Sequence, residues 1–278
     1  MNNFFRTSAL MAAMIVLFGL IGAGLYGQTG MIIAFVVAVA INFGSYWFSD
    51  KIVLKMYKAT EVGPSEAPEL YRMVDRLRQN AALPMPKLYV IPNDQPNAFA
   101  TGRNPENAAV AVTNGIVRLL SPQELEGVIA HELAHIKNRD ILTSTIAATL
   151  AAAITMLARF GMFAGGDRDR GGAIVNLLMI FLAPLAAFII QMAISRAREF
   201  AADRTGAEIC GNPRSLASAL ERLQSGAERV RMDANPATAH MFIVNPFAGG
   251  MSGLRTLFST HPSTDKRIQR LLALEGRR

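Results

Sequence analysis

Charged residues are missing from a long interval near the start of the chain, between Arg6 and Asp50. Two apolar runs fill the interval, "ALMAAMIVLFGLIGAGLYG" and "MIIAFVVAVAINFGSYWF", and only residues 28–30 separate them. Each run is close to the roughly 20 residues that a helix needs to cross the hydrocarbon of a bilayer. The short Gly-containing break predicts a helical hairpin rather than one long helix. A secretory signal peptide is the alternative for the first run, but the full-length second run favours two membrane anchors.

Two further uncharged runs occupy the middle of the chain, over residues 141–158 and 171–195. The second contains Pro184, and membrane helices tolerate proline better than soluble helices do. A Gly-rich turn with charges of both signs separates the two runs. We predict a second membrane hairpin over residues 141–195. A buried hairpin of a soluble protein is the alternative for the Ala-rich run.

Basic residues flank the first hairpin at its outer ends and are missing from its loop. The positive-inside rule therefore predicts that both ends face the cytoplasm. Arg168 and Arg170, on the outer turn of the second hairpin, fit this orientation poorly. The predicted parts are a transmembrane hairpin (1–50), a cytoplasmic part (51–140), a second transmembrane hairpin (141–195) and a second cytoplasmic part (196–278).

The predicted cytoplasmic parts mix helices with short strands. Residues 65–83 have the spacing of an amphipathic helix, and "KLYVI", "NAFATG" and "AAVAV" are typical of short strands. In "SPQELEGVIAHELAHIKNRD", Ser121 and Glu124 form the pattern of a capping box and Pro122 suits the first helical position. Helices are also predicted in "NPRSLASALERLQS" and "DKRIQRLLALE", and residues 226–253 between them are predicted to form a lid or loop.

Composition agrees with a membrane protein. The chain is 51% hydrophobic and 18% charged, against about 25% charged residues in soluble domains. The net charge of +7 has no dense basic run or basic-aromatic interleaving behind it, so nucleic acid is not an expected partner. Cys210 is the one cysteine of the sequence, which excludes an internal disulfide and a Cys-rich metal site.

The stretch "HELAH" contains candidate metal ligands and a candidate general base. On a helix, His131 and His135 lie on the same face and can bind one metal ion. Two imidazoles suit zinc, and Glu132 between them would be the general base that takes a proton from the attacking water. A chance match, with both histidines as ordinary helix residues, is the alternative.

A hydrolytic zinc site needs a third protein ligand, and Glu199 in "SRAREFAAD" is the candidate. Asp203 lies one helical turn later and can accept the free N–H of a ligand histidine. The two predicted spans between His135 and Glu199 return the chain to the same leaflet. A surface carboxylate paired with Arg196 or Arg198 is the alternative for Glu199.

The stretches "HELAH", "SRAREFAAD", "NAFATG", "AHMFIVNP" and "FSTHPSTDKRI" together resemble the HtpX-type family of bacterial heat-shock membrane zinc metalloproteases, which is related to the CAAX-processing endopeptidases. The resemblance covers essentially the whole chain, including the order of the spans. It implies an α+β membrane protein, with a mainly helical gluzincin-type zinc peptidase domain, a small β-sheet and about four transmembrane helices.

The resemblance also implies roles for single residues. It makes His131, His135 and Glu199 the ligands of one Zn²⁺ per chain and Glu132 the catalytic base. It gives Asp203 the role of supporting a ligand histidine. His261 and Arg267 match positions that approach the site and stabilise the oxyanion, although His261 can equally be a structural residue at a helix start, and a structural role is favoured for His240. The substrate-binding strand would be Asn97, Ala98, Phe99 and Ala100.

The function implied is endoproteolysis of misfolded or damaged membrane proteins at the cytoplasmic side of the inner membrane, during stress and alongside other quality-control proteases. Two alternatives stay open. One is a CAAX-type processing endopeptidase, although the chain lacks the additional spans of those enzymes. The other is a catalytically silent membrane scaffold, which the intact "HELAH" and Glu199 disfavour.

Overall fold

The computed structural model describes residues 3–146, 196–229, 243 and 262–275. Most of these residues are helical. A short helical stretch at 141–146 lies between the fourth and fifth of the labelled helices, and a 3₁₀ turn covers Pro105–Asn107. The labelled helices are α1 (Asn3–Met56), α2 (Pro68–Ala81), α3 (Asn114–Leu119), α4 (Pro122–Lys137), α5 (Arg196–Cys210), α6 (Pro213–Arg229) and α7 (Thr264–Glu275).

Helix α1 folds back on itself. Asn42 Nδ2 donates to the carbonyl oxygen of Met11 at 3.0 Å, although 31 residues separate them. A straight helix of that length would hold the two about 46 Å apart. The reversal lies at Gly27, whose φ of 59° is open to glycine but rare for other residues. The two arms of α1 therefore run antiparallel.

One segment of the described chain, Gly27–Met56, is long and apolar enough to cross a membrane, and Thr7–Leu20 is a shorter apolar helix. The outward face of the longer segment carries exposed large apolar side chains, among them Ile33, Phe35 and Phe43. The described residues thus contain one helix that fits a predicted span, and the number of about four spans stays a prediction. Of the run 141–158 only residues 141–146 are described, and the run 171–195 lies outside the described residues.

The sheet has four strands in the order β1-β2-β4-β3. β2 and β4 are parallel, and the other two pairs are antiparallel. The predicted strands "KLYVI", "NAFATG" and "AAVAV" are confirmed, and a three-residue strand at the other edge adds to them. The strands are β1 (Thr60–Val62), β2 (Lys87–Ile91), β3 (Ala98–Gly102) and β4 (Ala108–Thr113).

Side chains alternate between the two faces of the sheet along each strand, and both faces are covered. One face, with Leu88, Ala100 and Val110, belongs to the main core that includes α2 and α4. The other face, with Phe99, packs against Val53 and neighbouring residues at the end of α1. The last turns of the apolar helix therefore form one wall of the sheet.

Helix α4 begins with the predicted capping box. The Ser121 hydroxyl accepts from the backbone N–H of Glu124, and the Glu124 carboxylate accepts from the backbone N–H of Ser121 at 2.8 Å. Glu124 also accepts from the hydroxyl of Ser218 in α6 at 2.6 Å and forms an ion pair with Arg222 of α6 at 2.9 Å. The same carboxylate thus caps α4 and fastens α6 to it.

Helix α4 approaches its neighbours closely at two glycines. A Cβ on Gly127 would lie 2.5 Å from the backbone nitrogen of Leu216 in α6. A Cβ on Gly206 of α5 would lie 2.9 Å from the Cα of His131 in α4. These distances are too short for any side chain, so glycine at both positions sets how tightly α5 and α6 pack on α4.

We expect Gly127→Ala to destabilise the protein by about 1–3 kcal/mol, because the new methyl group meets backbone rather than a movable side chain. Thermal unfolding in detergent, followed by circular dichroism, measures the loss. Gly44→Ala in α1 is the matched control, since a Cβ there meets nothing within 4 Å. Equal melting temperatures for the two variants would show that α4 and α6 can separate without cost.

Candidate metal centre

Helices α4 and α5 bring three ligand-type side chains together. His131, His135 and Glu199 each offer one ligand atom, and these atoms lie within 4.8 Å of one another. The two Nε2 atoms are 3.1 Å apart, and the Glu199 oxygens lie 3.8 and 3.7 Å from them. Glu199 is 7% exposed, so it is not the surface carboxylate that the sequence left as an alternative.

The ring nitrogens that face away from this cluster each meet a carboxylate. Nδ1 of His131 lies 3.1 Å from Asp203 Oδ1, and the supporting role of Asp203 stays a prediction. Nδ1 of His135 lies 3.0 Å from Asp140 Oδ1. A carboxylate at Nδ1 favours the proton there and leaves Nε2 to bind a metal. At His135 the contact has hydrogen-bond geometry, whereas at His131 it is an ion-pair distance.

Asp140 is a site residue that the sequence reasoning missed. Helix α4 ends in a Schellman motif, in which Arg139 donates to the Ile136 carbonyl and Asp140 to the His135 carbonyl. The left-handed residue of such a motif is usually glycine, and here it is Arg139 with a φ of 57°. This turn folds the chain back, so that Asp140 reaches the ring of His135. A Gly at 139 would have been the sequence signal for the turn.

Arg267 of α7 is buried against Asp203. Its Nε and Nη2 donate to the two carboxylate oxygens at 2.9 and 2.7 Å, and its Nη1 donates to the carbonyl of Ile243 at 3.1 Å. Nη2 also lies 3.4 Å from Nε2 of His131. These contacts make Arg267 a clamp on the carboxylate that orients His131. The stabilisation of an oxyanion by Arg267 stays a prediction.

Glu132, between the two histidines, faces the edge of the sheet. Its Oε2 accepts the backbone N–H of Ala100 in β3 at 2.8 Å. Burial disfavours the carboxylate and raises the pKa of Glu132 above the ordinary glutamate value, although the two histidines and the Ala100 N–H oppose this shift. A raised pKa makes the carboxylate of Glu132 a stronger base, which suits a general base beside a metal position.

The charges of the site favour a divalent cation. Four carboxylates surround the histidines, those of Glu132, Asp140, Glu199 and Asp203, and the guanidinium of Arg267 contacts Asp203. Burial disfavours a charged ring at His135, but Asp140, Glu199 and Glu132 outweigh this effect and raise its pKa to about 10. The same carboxylates lower the energy of a bound cation.

The donor set also fits zinc in particular. Two imidazole nitrogens and one carboxylate are a ligand set of hydrolytic zinc sites. In a tetrahedral zinc site with bonds of about 2.1 Å, neighbouring ligand atoms lie about 3.4 Å apart. The separations of 3.1, 3.7 and 3.8 Å between the ligand atoms are close to this value. The residues present therefore fit a zinc ion.

The remaining predicted site residues divide into two groups. Ala98, Phe99 and Ala100 lie in β3, and Asn97 precedes it and accepts the N–H of Thr113 through its backbone carbonyl. Their role in substrate binding stays a prediction. His240 and His261 lie outside the described residues, as does most of the predicted loop 226–253.

Comparison with known proteins places this site in a family context. The model of peptidase family M48 matches residues 64–275, which include every described residue of the metal centre. A Protease HtpX homolog of Salinibacter ruber is 64% identical over 275 residues, covering 99% of each chain. A Protease HtpX homolog of Methylibium petroleiphilum is 58% identical over 284 residues, covering 100% of each chain.

The fold also resembles a solved structure. The crystal structure of S. mikatae Ste24p matches with a TM-score of 0.55 at 18% sequence identity. The match covers 96% of this chain and 65% of the Ste24p chain, so this chain spans slightly less than two thirds of that protein. At this identity the likeness concerns the fold.

We expect Asp140→Asn to lower the affinity for zinc about 10–100-fold, because His135 loses the charged acceptor that fixes its ring. Competition against a chelator measures the affinity of the purified protein. Asp75→Asn is the matched control, since Asp75 is a carboxylate of α2 that pairs with Arg78 away from the site. Unchanged affinity in Asp140→Asn would contradict the orienting role.

Proposed function

The chain belongs to peptidase family M48 and is a membrane metallopeptidase, and from this premise we propose a zinc-dependent endopeptidase that cleaves misfolded or damaged membrane proteins on the cytoplasmic side of the inner membrane. The observation that carries the proposal is the convergence of His131, His135 and Glu199, with Glu132 beside them at the edge of the sheet.

In the proposed site, Zn²⁺ is held by His131, His135 and Glu199. Bound zinc supplies a Lewis acid that polarises a peptide carbonyl and makes water a stronger nucleophile at neutral pH. Glu132 accepts the proton of that water and passes it to the leaving amine. The N–H of Ala100 holds Oε2, which leaves Oε1 as the oxygen that we assign to the proton transfer.

The proposed binding site of the substrate is the outer edge of β3. In the sheet, β3 pairs with β4 on one side and with no other strand among the described residues. An extended peptide can pair with such an edge through its main chain. Since the N–H of Ala100 already contacts Glu132, a peptide on this edge lies directly beside the general base.

The membrane setting supports substrates that are themselves membrane proteins. The candidate membrane helix Gly27–Met56 leads into the wall of the sheet, so the peptidase core lies next to the bilayer. Lys51, Lys55 and Lys58 at this end support the cytoplasmic orientation. We propose that the bilayer brings enzyme and substrate together, alongside other membrane quality-control proteases.

We expect Glu132→Gln to lower the rate of peptide-bond cleavage by about 10²–10⁴-fold or more, because the amide cannot accept the proton. Zinc content should stay at one ion per chain, since the ligands are intact. Cleavage of a reconstituted membrane-protein substrate and metal analysis of the same preparation measure the two quantities. Glu126→Gln on the same helix, where Glu126 pairs with Arg76 at 2.9 Å, is the matched control.

Two results would overturn parts of this proposal. Full activity of Glu132→Gln would contradict the role of Glu132 as the general base. Full activity after a chelator has removed zinc would contradict the requirement for the metal in catalysis. Cleavage of prenylated peptides in preference to membrane proteins would instead support the CAAX-type alternative.

A further inference from the structure

The end of the apolar belt on α1 marks a membrane level. Large exposed apolar side chains run from Met31 to Phe48, which is about 26 Å along a helix and close to the thickness of the hydrocarbon. Beyond Phe48, exposed apolar residues alternate with Lys51 and Lys55, both exposed. Trp47 lies at this boundary and is 42% exposed, as is typical of interfacial tryptophans.

The end of the edge strand β3 is attached at the same level. The guanidinium of Arg103, the residue after β3, lies 4.8 Å from the centre of the Trp47 ring, a cation–π contact. Arg103 also donates to Asn107 Oδ1 at 3.0 Å, which holds the side chain in place. The turn between β3 and β4 therefore lies at the membrane boundary.

A second contact fixes the direction of the strand. Phe99 in β3 packs on Tyr57, just beyond α1, with ring centres 5.5 Å apart. From Trp47 to Tyr57 a helix advances about 15 Å, and from Arg103 back to Phe99 a strand covers about 13 Å. The two lengths agree, so β3 runs antiparallel to the end of α1, and it follows the membrane normal to the extent that this candidate membrane helix does.

Two threonine pairs connect the helical stretch at 141–146 to α1 and to β3. Thr7 Oγ1, at the start of α1, lies 3.0 Å from Thr143 Oγ1, and Thr101 Oγ1 in β3 lies 3.2 Å from Thr145 Oγ1. The helical stretch that follows the metal site thus meets both α1 and β3 near the boundary. Three separate parts of the chain converge there.

The catalytic base then lies at a defined height. Ala100, which donates to Glu132, is three residues before Arg103, or about 10 Å along the strand. We propose that β3 acts as a ruler, selecting the peptide bond about three residues outside the membrane segment of a substrate. This inference rests on the proposed function, because it needs the substrate to pair with β3. Its substrate class is a membrane protein with an extended juxtamembrane tail.

The test uses the full-length protein with zinc, reconstituted in liposomes. An extended segment of about eight residues is first chosen because the wild type cleaves it as a free peptide and Glu132→Gln does not. The membrane substrate carries one span followed by three tandem copies of this segment on the side of the active site. Mass spectrometry of the fragments gives the cleavage rate of each copy.

The ruler predicts that the copy next to the membrane is cut at least about tenfold faster than the other two copies. When the substrate pairs with β3, the two outer copies lie too far from the membrane to be placed beside Glu132. Equal cutting of all copies would overturn the ruler and leave the proposed peptidase intact. Failure to cut any copy, with the free peptide still cleaved, would overturn both the ruler and the proposed membrane substrates. Failure to cut any free peptide would overturn the peptidase proposal itself, and the ruler with it.

A pair of variants tests the attachment of the strand. Arg103→Ala removes the contact with Trp47 and should lower the preference for the membrane-proximal copy several-fold. Arg118→Ala removes an exposed arginine that pairs with Asp94, at the other end of the sheet, and should keep the preference. An unchanged preference in Arg103→Ala would show that Arg103 does not hold the strand at the boundary.

Discussion

The architecture depends on the compensation of negative charge buried beside α4. Asp203 is almost completely buried and would be costly as a lone carboxylate. Burial favours its neutral form, but the Arg267 guanidinium and His131 hold the pKa of Asp203 below its usual range. This salt bridge ties α7 to α5, and through His131 to α4. The site therefore needs helices from both ends of the peptidase part to be in place.

The sequence was sufficient where local chemistry decides the structure. The capping box at Ser121 and the β-type run "KLYVI", bounded by prolines, act over a few residues, so helix α4 and strand β2 could be predicted from them. The need of a hydrolytic zinc site for a third ligand made Glu199 a candidate after "HELAH", and the family resemblance implied the full ligand set. Glu199 lies 64 residues beyond His135. Both are residue types that bind metals, which let the sequence suggest them as ligands despite this separation.

The sequence was insufficient where long-range packing decides. β1 is three residues long and exists through its pairing with β2, and α3 begins with Asn-Gly, a typical turn signal, but is capped by Thr113. Asp140 reaches His135 through a left-handed turn at an arginine, which no local preference indicates. Arg267 was identified through its motif, whereas its burial against Asp203 follows from the packing of α7.

The turn at Arg139 joins the metal site to the helical stretch that begins at Ile141. Asp140 belongs to both, because its carboxylate orients His135 and its backbone begins the next helix. Any force that tilts this helix changes the position of the carboxylate, and thermodynamic linkage makes the effect reciprocal. If zinc binds as proposed, we expect the metal and the bilayer around the following predicted span to be coupled through this turn. A bilayer thickness that favours the metal-bound geometry would then raise metal affinity, and bound metal would favour that thickness to the same degree.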